Sequence, residues 1–172
     1  AIPLIKGPMK SRSPEDIIND AMQLERLGIN EIILIAQDST AYGSDIDLDD
    51  GLPGLLTAIQ EAAPHIPWIR IMYTFPGAIS NRLIAVISSS TQIVPYLDIP
   101  LQHAHPETLK RMRRPSNMTS VKQTIQKMRS EIPNLALRTT FIVGFPDETD
   151  EEFGALIDFV KEIEFDHVGI FP

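Results

Sequence analysis

Cysteine is absent from the chain's 172 residues. That removes disulfides, thiolate metal sites and a cysteine nucleophile from the chemistry these residues can supply. No apolar run approaches the roughly 18 residues of a membrane span. No basic stretch followed by an apolar one opens the chain, so a signal peptide is not expected. No G-x-G-x-x-G turn is present, which disfavours a dinucleotide-binding fold. No lysine lies within a predicted strand, which leaves an aldolase-like enzyme without a Schiff-base residue. Positive charge is in deficit: the formal net charge is −8, so direct nucleic-acid binding by this segment is not expected.

What is present suits an α/β domain. The chain is 43% hydrophobic and 22% charged, enough to bury a sizeable core. Its length suggests one domain or part of one. Both ends read as cuts inside a larger protein: Ala1 to Ile5 as the tail of a strand or loop, Gly169 to Pro172 as the end of a strand. Five strands are expected near residues 31–36, 68–73, 95–99, 136–143 and 166–171, plus an edge piece near the N-terminus. Glu31 to Ala36, EIILIA, is nearly continuous in apolar residues, as in a parallel strand buried on both faces.

Helical signals fall between these runs. Ser13-Pro14-Glu15-Asp16 supplies an N-cap, a first-turn proline and first-turn acids, and Gly28 stands where a helix would end. Further helices are expected over Leu52 to Ala63, Ser80 to Ser88, from Pro106, and over Thr119 to Ile132. Thr149 with Glu152 fits a capping box for the last one. Regular alternation with right-handed crossovers predicts a parallel sheet covered by helices. Counting one strand before Ala1, the pattern is a partial (β/α)6 TIM-like barrel, truncated at both ends.

Polar residues gather just after the strands: Gln37, Asp38, Ser39 and Thr40, then Thr74, then Gln102 and His103, then Glu148. Ligands of parallel α/β folds bind at those carboxyl ends. Arg138 and Thr140 share one face of their strand, and Thr139 takes the other. A strand arginine needs an anion, either a core carboxylate such as Asp98 or the carboxylate of a ligand. His103 has no matched acid or nucleophile in the pattern and reads as structural. Asp45 to Gly51 is acidic but lacks the calcium-loop pattern and reads as a solvated loop. Lys6 to Arg12 reads equally as a connector or a basic patch. Lys110, Arg111, Arg113 and Arg114 complement a helix dipole in part.

Several strings occur together in a fixed order: Ala1 to Gly7, Lys10 to Ser13, AQDSTAYG (Ala36 to Gly43), DIPLQHA (Asp98 to Ala104), LKRMRR (Leu109 to Arg114) and LRTTFIVGFPDET (Leu137 to Thr149). Together they resemble the radical S-adenosylmethionine core of the methylthiotransferases, across essentially the whole chain. The likeness is nearer to the branch that acts on a ribosomal-protein aspartate than to the tRNA-modifying sister branch.

The resemblance implies two 4Fe-4S clusters in full-length members. One is held by a CxxxCxxC loop expected upstream of Ala1, so none is bound by these residues. It implies an N-terminal methylthiotransferase domain and a C-terminal substrate-binding domain outside this segment, which alone would be inactive. The implied reaction cleaves S-adenosylmethionine to a 5′-deoxyadenosyl radical that abstracts a hydrogen from the β-carbon of the aspartate, which then receives a methylthio group. Small-subunit ribosomal protein is the implied substrate, an electron donor such as a flavodoxin the implied partner, and the cytoplasm the implied location. Gln37, Asp38 and Ser39 are expected at the amino group of S-adenosylmethionine, and Arg138 and Thr140 at its carboxylate or ribose. Gly144 and Phe171 are expected beside the adenine. The alternatives are the tRNA-modifying activity, an aldolase-like α/β enzyme and a non-catalytic scaffold.

Overall fold

A computed structural model describes Ile5 and residues 7–172. Five strands, β1 (Glu31–Leu34), β2 (Trp68–Ile71), β3 (Ile93–Asp98), β4 (Ala136–Ile142) and β5 (His167–Phe171), alternate with six helices: α1 (Pro14–Arg26), α2 (Gly51–Ala62), α3 (Asn81–Ser89), α4 (Pro106–Arg111), α5 (Met118–Glu131) and α6 (Asp150–Ile163). Short 3-10 turns at Ser39–Ala41 and Pro76–Ala78 follow β1 and β2. The strands form one parallel sheet in the order β1-β2-β3-β4-β5. Among the described residues β1 and β5 are its two edges, so the barrel stays open. The expected N-terminal edge piece and Lys6 lie outside the described residues.

Local chemistry accounts for the helix ends. The Ser13 side chain accepts the Asp16 amide, and α1 closes with amide bonds from Gly28 to Glu25 and from Ile29 to Leu24 around Gly28 at φ +72°. Those two bonds are the Schellman pattern, which favours glycine at that turn. Thr149 and Glu152 form the reciprocal capping box that opens α6. β3 starts at Ile93 rather than Pro95, because the strand is irregular there: Ile69 of β2 pairs with Ile93, and Ile71 with Leu97. Proline has no amide to give a ladder and is tolerated at such an irregularity.

The core lies on one side of the sheet. Ile69, Ile71, Leu97, Leu137 and Phe141 meet Leu56 and Ile59 of α2, Leu83 and Ile84 of α3, Ile125 of α5 and Phe159 of α6. Phe141, Phe159 and Phe165 pack with ring centroids 6.0 to 6.4 Å apart. The opposite face is uncovered, which corrects the reading of β1 as buried on both faces. Ile32 is buried, while Ile33 is 47% and Ile35 69% exposed. An apolar run cannot report that only one of its faces receives helices.

Candidate functional site

The carboxyl ends of the strands are laced together before any ligand is considered. The Ser39 hydroxyl donates to the Met72 carbonyl at 2.6 Å and its amide to the Tyr73 carbonyl at 2.9 Å. Tyr73 adopts φ +56°, an uncommon conformation for a non-glycine residue, which ends β2 and turns the chain. Thr74 gives both its amide and its hydroxyl to the Asp98 carbonyl. The Asp38 carboxylate caps the first 3-10 turn through the amide and hydroxyl of Thr40. Gln102, at φ +73°, extends the pairing of β3 with β4 through Thr140 and Ile142.

Two more bonds fix the loops after β3 and β4. His103 is fully buried. Its Nδ1 accepts the His105 amide at 2.9 Å, so Nε2 carries the proton toward Glu148 Oε1 at 3.2 Å. Glu148 Oε2 in turn accepts the Phe145 amide at 3.0 Å. The sequence pattern matches no acid to His103, but the fold supplies Glu148, from a loop 45 residues on, as its buried partner. That pair holds the turn at Gly144, where φ is +70° and a side chain would project into open space.

Two of the hollows on this scaffold hold expected site residues with charged side chains. A rim cavity of about 170 Å³ is lined by Gln37, Asp38, Tyr73, Thr74, Phe75, Pro100 and Arg114. Arg114 reaches it because α4 ends in a Schellman turn, with Arg113 at φ +55° and the Arg114 amide on the Leu109 carbonyl. The second hollow, about 480 Å³, lies on the uncovered face of the sheet. Ile33, Ile35, Arg70, Met72, Tyr96, Arg138 and His167 line it, and Tyr73 lines both. Arg70 bonds Glu31 at 2.6 Å and stacks 4.8 Å from the Tyr96 ring centroid. Arg138 Nη1 donates to Asp98 Oδ1 at 3.0 Å.

The expected site residues are thus divided. Gln37 and Asp38 share the rim cavity. Ser39 spends its hydroxyl on Met72 and lines a different cavity, between α1 and β1. Arg138 faces the second hollow with Asp98 as its partner, the first of the two anions weighed for it. Thr140 is paired in register with Gly169, and Ile142 with Phe171, so these residues share the Arg138 face higher along β4 and β5. Phe171 is largely exposed there. Sequence reasoning missed Tyr73 and Arg114. Nothing in the pattern marks a left-handed tyrosine, and Arg114 was absorbed into a dipole argument.

Comparisons with known proteins agree with this architecture. Residues 3–160 match the model of the Radical SAM superfamily. The chain is 48% identical over 170 residues to a protein of Roseiflexus castenholzii named ribosomal protein uS12 methylthiotransferase RimO, which covers 99% of this chain and 35% of that protein. A protein of the same name from Roseiflexus sp. (strain RS-1) is also 48% identical, covering 99% and 36%. The chain therefore spans about a third of the length of these relatives. Its fold superposes on that of the radical S-adenosylmethionine methyltransferase TsrM from Kitasatospora setae, solved with cobalamin and a 4Fe-4S cluster, with a TM-score of 0.71 at 15% identity over 93% of this chain and 31% of that one. At such low identity the likeness concerns the fold alone.

Proposed function

The chain belongs to the radical SAM superfamily, and from that premise we propose that it forms the core of a methylthiotransferase acting on the β-carbon of an aspartate in ribosomal protein uS12. The observation that carries this reading is the 48% identity, across 99% of the chain, to proteins named for that activity. The negative net charge favours a protein substrate over tRNA.

The rim cavity fits the methionine end of S-adenosylmethionine. An ammonium needs acceptors and a carboxylate needs a cation. Gln37 and Asp38 offer the first, and Arg114 the second. Arg138, which the sequence offered for that carboxylate, lines the other hollow and not this one. Thr140 and Phe171 share the Arg138 face of the sheet, which leads toward the ribose and adenine, and Gly144 lies in the turn after β4. Tyr73 and Phe75 supply aromatic walls to the cavity. When bound, and cleaved with one electron delivered from outside these residues, S-adenosylmethionine would supply hydrogen-atom abstraction from an unactivated carbon, while the protein binds, orients and excludes solvent.

These residues do not fit an iron–sulfur cluster. The sequence has no cysteine, and the described residues hold no group of three His, Asp or Glu placed for a metal ion. No part of the reaction assigned to this chain runs through one. The reading therefore includes a longer polypeptide, with a CxxxCxxC loop, an N-terminal methylthiotransferase domain and a C-terminal substrate-binding domain outside residues 1–172. It also includes an electron donor such as a flavodoxin, and a cytoplasmic site of action.

The test is a mass measurement on uS12 incubated with the full-length enzyme, S-adenosylmethionine and reductant. One methylthio group on a single aspartate is expected. An unmodified uS12 alongside a methylthiolated tRNA would transfer the reading to the sister activity.

A further inference from the structure

The hollow on the uncovered face is chemically unlike the molecule around it. The chain carries a net charge of −8, yet two arginines and a histidine line this hollow, and no acidic side chain does. Its other walls are Ile33, Ile35, Met72, Tyr73 and Tyr96. Arg70 is paired with Glu31 and Arg138 with Asp98, yet the Arg138 guanidinium keeps further N–H groups, and such donors in an apolar surround suit a small organic carboxylate.

Arg138 is the group best placed to receive it. Its side chain is 34% exposed, while that of Asp98, behind it, is fully buried. The recorded contact uses Nη1 alone, on Asp98 Oδ1. Among the described residues Asp98 Oδ2 is buried without a protein donor, so the carboxylate draws its compensation there from Arg138 and fixes the guanidinium in return. A buried orphan oxygen in a pair serving stability alone would be a cost without a return. On β5, Gly169 stands where a Cβ would lie 3.7 Å from Arg138 Nη2 and 3.4 Å from Thr140 Oγ1. A Cβ there would rest in ordinary van der Waals contact with that arm of the guanidinium, which glycine leaves uncovered. His167 is in register with Arg138 across β4 and β5 and adds a ring nitrogen on the same side.

We propose that this hollow is the substrate subsite and that Arg138, oriented by Asp98, receives the side-chain carboxylate of the aspartyl residue to be modified. The inference rests on the functional reading above. It also gives the geometry a purpose. The β-carbon of an aspartate is bonded directly to its carboxyl carbon, so a fork gripping the carboxylate fixes the carbon to be attacked one bond away. Thr140, on the same face of the strand, lies roughly 7 Å further toward the rim. The anchored carbon is thereby presented to the rim cavity across Tyr73, which lines both hollows.

The experiment measures binding to the full-length enzyme by fluorescence anisotropy. The probes are a labelled uS12 peptide containing the target aspartate and the same peptide with asparagine in its place. Arg138→Met alone would strand Asp98, so the test variant is Asp98→Asn/Arg138→Met, with Arg138→Lys as a second that keeps the charge and loses the fork. Native enzyme should favour the aspartate peptide by about tenfold or more. The preference should vanish in the double variant and be intermediate in Arg138→Lys, with affinity for S-adenosylmethionine unchanged in both. A preference that survives the double variant overturns the inference. So does a double variant that loses S-adenosylmethionine affinity instead, or native enzyme that binds both peptides equally. Native enzyme that binds neither peptide overturns the functional reading as well.

Discussion

Glu152 receives donors from two residues at once. Arg111 meets its two oxygens at 2.9 and 2.7 Å, and the Thr149 amide adds a bond of 2.9 Å. Arg111 first, and then the Thr149 amide, hold its carboxyl near 2, well below the ordinary value of 4.5. Because the folded value is the lower one, ionised Glu152 favours the folded state. That contribution is complete above 4.5 and is lost as pH falls from there toward 2. Urea unfolding of the native chain and Glu152→Gln, stepped down in pH, should give two stability curves that converge across this window. Parallel curves would mean that Glu152 has no such role. Arg113 makes a different residue-scale prediction. It holds φ +55° at the end of α4, a conformation that costs an L-residue about 1–2 kcal/mol. Arg113→Gly relieves this at some cost in unfolded-state entropy, so a gain of up to about 1 kcal/mol in denaturant melts is expected. A clear loss of stability would show that the arginine side chain contributes more than its backbone costs.

At the scale of elements, β4 and β5 contrast. Phe141 of β4 is buried against Phe159 and Phe165, whereas Ile170 of β5 is 63% exposed. Phe141→Ala should destabilise by about 3–5 kcal/mol, and Ile170→Ala by no more than about 0.5. Ile170 is in register with Phe141 on the helix-bearing face and is exposed because β5 is the sheet edge, so equal effects in guanidinium melts would mean that this edge is packed after all. Thr149→Ala, which removes the α6 cap, should cost about 1 kcal/mol. All five strands and six helices were legible in the sequence, because apolar period, caps and prolines are local signals. Strand ends were less so: β1 stops at Leu34 and β2 at Ile71, where Ser39 and Tyr73 bond to each other through contacts distant in sequence. The pairing of Arg138 with Asp98 was open beforehand and needed the register of β3 against β4 to decide it. The division of the site into two hollows was not legible, since it depends on where Arg114 is delivered by a left-handed arginine.

At the scale of the molecule, the sheet carries its helices on one face and leaves the other uncovered among the described residues. The thiolates of an iron–sulfur centre are not among these 172 residues, so the isolated chain treated with iron and sulfide should show no cluster absorbance. A stoichiometric centre would overturn the placement of the ligands elsewhere. The strand order has a further bearing. Each strand lies beside the one made just before it, without exception. A chain leaving the ribosome from its N-terminus can therefore lay down this sheet as a bricklayer sets a course, each new unit meeting an edge already waiting. No strand has to wait for a later one to bridge it to the strand made just before it. Stalled nascent chains of increasing length should gain protease resistance in successive increments, one per completed βα unit, rather than in a single step at the end.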